Sequence, residues 1–232
     1  MRLFDAPRDP LMLIIRRPVA KLVRATLRDL DRRADHMGMA APNYFTADMV
    51  RALPDDGNRY ETVHGELLVT PAPRLPHQFV ITQLVVRLHA YLERYPIGDV
   101  LTSPADISWA PDVLVQPDVF VAAREEARTW DWSRVRTLLL AIEVLSPSTQ
   151  HHDRFAKRRA YQEYRVPWYW IVDIQSRAVE VWTPEETFPA LERERLIWHP
   201  EGAPEPLLIP VAEVLPPPLG PLTRDLVPPS LP

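Results

Sequence analysis

Residues 138–145 read Leu-Leu-Leu-Ala-Ile-Glu-Val-Leu, an apolar run interrupted by one charge. Successive side chains in a strand point to opposite faces, so a run apolar at both parities must be covered on both sides. That requirement predicts a central strand in an α/β fold, with helices packed on a mixed sheet. It also makes Glu143 anomalous. Burying an ionised carboxylate costs roughly several kcal/mol unless a cation or hydrogen bonds offset the loss of water.

The anomaly occurs twice. Asp118 interrupts the apolar stretch from Val113 to Val121. Two acids on neighbouring strands repel each other unless a cation lies between them, and a hard divalent ion such as Mg²⁺ or Mn²⁺ takes oxygen ligands. The 232 residues contain no cysteine, so disulfides and thiolate sites are excluded and oxygen or imidazole must hold any metal. The alternative is that each acid pairs with an arginine or caps a backbone.

Beyond Glu143, Ser146-Pro147-Ser148-Thr149 breaks the strand and a helix is predicted over about 152–165. Asp153, Lys157 and Tyr161 recur one turn apart and share a face of it. If that face meets the sheet, Lys157 brings an ammonium to the acids; otherwise it belongs to a solvated basic face with an Asp153 pair of small worth. His151 and His152 adjoin Asp153, but no third zinc ligand has suitable spacing.

Upstream, Thr46 is a plausible cap for a short helix, and Tyr60–Val63 with Glu66–Val69 reads as a hairpin across His64-Gly65. Val80, Leu84, Leu88 and Tyr91 or Leu92 line one face of a helix over 76–94. Residues 99–109 and 112–122 read as strands, 169–173 and 179–182 as a hairpin, and 193–198 as a further strand.

Residues 1–41 are expected to be a basic, loosely attached extension. Residues 1–35 carry nine Lys/Arg against five Asp, and Met37 or Met39 is a candidate true start. Residues 42–215 form the domain. The tail, 216–232, holds seven prolines and excludes regular hydrogen-bonded structure. The apolar run 11–15 is broken by Arg16, Arg17 and Pro18 and is too short to span a membrane. A cytoplasmic protein without membrane attachment is therefore expected. The net charge of −4 argues against a non-specific coat on polyanions but agrees with an acidic site for divalent cations.

Several segments occur together in order: Tyr60-Glu61-Thr62-Val63-His64-Gly65-Glu66-Leu67, Pro71-Ala72-Pro73 with His77, Gln116-Pro117-Asp118, Ile142 to Thr149, Asp153 with Lys157, and Val166 to Asp173. This combination resembles the Uma2 family of restriction-endonuclease-like proteins over about residues 42 to 215. The resemblance implies a PD-(D/E)XK fold: a mixed β-sheet flanked by helices, with an N-terminal β-hairpin and added strands. Asp118 matches the first acid of that motif and Glu143 the second. The motif lysine would fall at Leu145, and the resemblance supplies it instead from the next helix, as Lys157. Glu66 matches a further acid of the metal shell; otherwise it is an ordinary exposed hairpin carboxylate. The implied metal set is Asp118, Glu143, Glu66 and the carbonyl of Val144, holding Mg²⁺ or Mn²⁺. His77, at a helix start, either contacts phosphate or caps and packs. DNA is the implied substrate, and a homodimer is compatible with cutting both strands. The function expected is a metal-dependent endonuclease. The rivals are a non-catalytic nucleic-acid-binding or regulatory module, and a structural domain whose acids pair with arginine.

Overall fold

The computed structural model describes residues 44–218. The basic extension, the Met37 and Met39 starts and most of the proline-rich tail lie outside these residues. In chain order the elements are α1 (Ala47–Arg51), β1 (Arg59–Val63), β2 (Glu66–Thr70), α2 (Leu75–Arg94), β3 (Gly98–Thr102), β4 (Ile107–Ala110), β5 (Val113–Val115), β6 (Val119–Ala123), α3 (Arg124–Ala127), β7 (Leu138–Val144), α4 (150–163), β8 (Tyr169–Asp173), β9 (Ala178–Trp182), β10 (Ala190–Glu192), β11 (Arg195–Trp198), β12 (Leu207–Pro210) and α5 (Val211–Val214).

Local chemistry accounts for the first elements. The Thr46 hydroxyl accepts the Met49 N–H at 3.2 Å and starts α1. His64 and Gly65 both have positive φ, 51° and 81°, as a two-residue hairpin turn requires, and Val63 faces Glu66 across it. In α2, Val80, Leu84, Leu88, Tyr91 and Leu92 are buried at helical spacing. Full burial of each such aliphatic side chain contributes about 1.5–3 kcal/mol.

The strands form a six-stranded sheet, β10-β9-β8-β7-β6-β3, a four-stranded sheet, β2-β1-β5-β4, and the pair β11-β12. In the six-stranded sheet β7 and β8 run parallel, joined by α4 as a crossover, and the other neighbours are antiparallel. One face of this sheet carries Val119, Val121, Leu140, Ile142 and Val144 against the α2 side chains and Trp198. The other face carries Phe120, Ala122, Ala141 and Ile171 against Tyr161 of α4 and Val63, Leu68 and Val115 of the smaller sheet. A covering on both sides is what the apolar run of β7 demanded.

The segments 99–109 and 112–122, expected as single strands, are each two strands in two different sheets. β3 and β6 pair in the larger sheet, while β4 and β5 pair in the smaller one. The breaks fall at Ser103-Pro104 and Gln116-Pro117-Asp118, where proline removes a ladder donor. Ser103 ties the two breaks together, its hydroxyl 2.8 Å from the Gln116 carbonyl and 2.7 Å from that of Pro117. Asp118 therefore stands at a seam, not inside a strand. The short strands β10 and β12 and the helix α3 were not anticipated.

Candidate active site

The antiparallel register of β6 and β7 sets Val119 opposite Ile142, so the next step places Asp118 opposite Glu143. Opposed residues of an antiparallel pair point to the same face. Both acids line one open cleft of about 1260 Å³, together with Arg59, His77, Gln116 and Ser146. The Val144 N–H, next in chain to Glu143, donates to Asp118 Oδ2 at 2.9 Å. A strand residue directs its N–H and C=O to the same side, so the Val144 carbonyl also faces the β6 side.

Asp118 is held from three directions. Arg59 Nη1 donates to Oδ1 at 2.9 Å, and His77 Nε2 lies 3.0 Å from Oδ2, beside the Val144 N–H. β1 delivers Arg59 and the first turn of α2 delivers His77. Glu143 is held differently. Its Oε1 accepts from Lys157 Nζ at 3.0 Å and from the Tyr161 hydroxyl at 3.1 Å, and its Oε2 accepts no hydrogen bond from the described residues. Lys157 is 1% exposed and also lies 2.8 Å from Glu61 Oε2 and 3.6 Å from Asp153 Oδ1.

The helix that brings Lys157 is α-helical over Gln150–His152 and Arg158–Glu163, with a π-helical turn at Asp153–Lys157 between them. The Asp153 carbonyl accepts the Arg158 N–H five residues on, as a π turn requires, and the Tyr169 hydroxyl at 2.9 Å. Asp153, Lys157 and Tyr161 are all buried against the sheet, so the face they share is the inward one. The solvated basic face is thereby set aside for Lys157.

The two acids ionise in opposite senses. Burial would raise the Asp118 carboxyl, but the His77 hydrogen bond and the Arg59 charge hold it well below the usual carboxylate range. Burial pushes Glu143 well above that range; Lys157 opposes the shift, while Asp118, Asp153 and Glu61 add to it. Asp153 is raised to about 6, chiefly by burial and against the pull of Lys157. Burial would lower the Lys157 ammonium, yet Glu143, Glu61 and Asp153 raise it, so it stays charged.

The structure thus brings together Asp118, Glu143, Lys157, Val144 and His77. It does not bring Glu66 to them. That residue is 62% exposed on the far side of the hairpin turn, and its charged neighbour is His152 at 3.9 Å. The hairpin acid that meets the cluster is Glu61, three residues before the turn. His77 spends Nε2 on Asp118, and the arginine partner considered for the acids exists for Asp118, as Arg59. Strand alternation sets Glu61 on the face of the core residue Val63, and Glu66 with it. The Oε1 of Glu61 accepts the Gln116 N–H at 2.6 Å, which ties β1 to the seam.

The donors suit a Mg²⁺ or Mn²⁺ ion. Glu61, Asp118, Glu143 and Asp153 face two fixed cations, Arg59 and Lys157, leaving an excess of negative charge. The Val144 carbonyl faces the Asp118 side, both carboxylates line the cleft, and Mg²⁺ is commonly held by one or two carboxylates with water completing its shell. Among the described residues, however, no three His, Asp or Glu side chains form a metal-holding group. No described helix is long and apolar enough to cross a membrane.

The Uma2 family model, described as “Putative restriction endonuclease”, matches residues 47–212. No curated protein matches the chain. A solved structure described as a “putative nuclease belonging to DUF820” from Anabaena variabilis superposes with a TM-score of 0.62 at 18% identity, covering 73% of this chain and 97% of that one. At that identity the likeness establishes the fold alone, a restriction-endonuclease-like α/β architecture. The family match runs from α1 into α5 through every element of the cleft, and this chain belongs to the Uma2 family.

Proposed function

We propose that the chain is an endonuclease that hydrolyses phosphodiester bonds of DNA with Mg²⁺ or Mn²⁺ as cofactor. The observation that carries this reading is the pairing of Asp118 and Glu143 across β6 and β7, facing one cleft, with Lys157 bonded to the second acid. Asp118, Glu143 and the Val144 carbonyl would hold the ion. The chemistry such an ion supplies is polarisation of a phosphoryl oxygen and a lowered pKa for an attacking water. Lys157 fixes Glu143 through Oε1, leaving Oε2 for the cleft, and offsets charge as the phosphorane forms. His77 orients Asp118 from the second oxygen. Action on DNA in the cytoplasm, and pairing as a homodimer where both strands are cut, belong to the same proposal.

The test is incubation of circular and linear DNA with Mg²⁺ or Mn²⁺, with Glu143→Ala purified in parallel. Cleavage should fall by about a thousandfold in the variant. Equal cleavage by both proteins would mark a contaminating nuclease and remove the support.

A second reading, a nucleic-acid-binding or regulatory module without catalysis, is favoured by Arg59 seated on Asp118 and by the lack of a three-residue metal group among the described residues. Mn²⁺ calorimetry separates the two. Heat that disappears in Asp118→Asn supports the enzyme, and no such heat together with no cleavage supports the module.

A further inference from the structure

The cluster contains a cation whose placement the reading above leaves unexplained. Arg59 opens β1 and reaches into the cleft with its side chain 18% exposed. Among the described residues, one of the five guanidinium N–H donors, on Nη1, has a hydrogen-bond acceptor, Asp118 Oδ1 at 2.9 Å. Nε is buried without a hydrogen bond, its nearest acid being Glu61 Oε2 at 3.9 Å. A structural arginine in a buried pair commonly spends several donors on its partners, often as a two-pronged fork on the carboxylate. Among the described residues this one makes a single bond, to the acid proposed above to hold the ion, and keeps a fork that matches phosphate in geometry and charge.

A guanidinium and a divalent ion on the same carboxylate repel strongly at such a distance. We infer that Arg59 is a stand-in cation. It neutralises Asp118 while no divalent ion is bound, gives way when one arrives, and then binds a substrate phosphate in the cleft. Arg59 is thus assigned two successive partners, an acid of the site and the DNA backbone. This inference rests on the proposed metal-dependent hydrolysis, but its first half needs only metal binding.

The experiment uses the full chain, with Arg59→Gln and Arg59→Lys beside wild type, each first checked for a cooperative thermal transition. Mn²⁺ affinity is measured by calorimetry, and DNA hydrolysis at saturating Mn²⁺. Arg59→Gln should bind Mn²⁺ about tenfold more tightly, because a competing charge is gone. The same variant should lose about a hundredfold in kcat/KM, because a phosphate contact is gone. Arg59→Lys keeps the charge but not the fork, so its Mn²⁺ affinity should stay near wild type while its kcat/KM still falls. Opposite movement of the two readouts is the signature, since simple damage to the cleft lowers both. Wild type that binds Mn²⁺ and cuts DNA, with Arg59→Gln binding Mn²⁺ equally or less well, overturns the inference and leaves the nuclease reading intact. Tighter Mn²⁺ binding by Arg59→Gln with no hydrolysis by any of the proteins supports the counter-cation role and overturns the nuclease reading and the phosphate role. No Mn²⁺ binding by any of the three overturns both.

Discussion

Asp118 and Glu143 are almost equally buried, stand opposite each other and face one cleft, yet the protein treats them in contrary ways. Asp118 is surrounded by donors: a guanidinium, an imidazole and a main-chain amide. Glu143 shares one ammonium with two further acids, Glu61 and Asp153. The first is therefore held ionised and the second is pushed toward its protonated form. Depth of burial alone predicts nothing about charge state here; the ratio of donors to acids decides it.

The sharpest way to break this contrast is to remove the shared ammonium. Lys157→Met leaves Glu61, Glu143 and Asp153 without their common cation, and losing one partner of a buried ion pair costs about 3–5 kcal/mol. Urea unfolding should show an unfolding free energy lower by that amount, read as an earlier midpoint at unchanged slope, and an unchanged midpoint would deny the ammonium its role in holding the cluster.

A smaller effect separates the two sides by pH. Asp153 has a folded value of about 6 against 3.8 in the unfolded chain. Between those values the folded protein binds more protons, so this group's contribution to stability is greatest below pH 4 and declines as pH rises to about 6. The decline is at most about 3 kcal/mol. Asp118 works in the reverse direction, its stabilisation being lost as acid protonates it below the usual carboxylate range. Thermal melts of Asp153→Asn from pH 4 to 8 should show a gain over wild type that grows with pH, and a gain constant across the range would deny the raised value.

The smallest effect is expected at Glu66. Glu66→Ala lies outside both groups and should change stability by less than about 0.5 kcal/mol, with DNA hydrolysis at the wild-type rate. A loss of Mn²⁺ affinity in that variant would return Glu66 to the site.

Much of this arrangement was legible in the sequence because it is written in local periodicity. The 3.6-residue spacing of Val80, Leu84 and Leu88 and the unbroken apolar run of β7 each carry their own burial pattern. The same rule placed Asp153, Lys157 and Tyr161 on one face. What periodicity cannot show is a change of sheet. Val113–Val115 and Val119–Ala123 alternate and bury as one strand would, and only Pro117 between them hints that the chain leaves one sheet for another. Arg59 escaped for a related reason: its partner, Asp118, is 59 positions away and no spacing rule links them. Likeness to a family pointed to Glu66, and strand parity could not separate it from Glu61, since Val63 pairs with Glu66 and both acids lie on the face of Val63; depth of burial, which periodicity does not give, is what differs between them.

The seam at Gln116-Pro117-Asp118 gives the molecule a mechanical property. The joint touches both sheets: Gln116 is tied to the smaller one through Glu61, while Asp118 accepts the Val144 N–H of the larger, in which Glu143 is anchored. The gap between the two carboxylates is therefore set inside one layer, by the β6–β7 ladder, and the smaller layer supplies only the groups that reach in from above it.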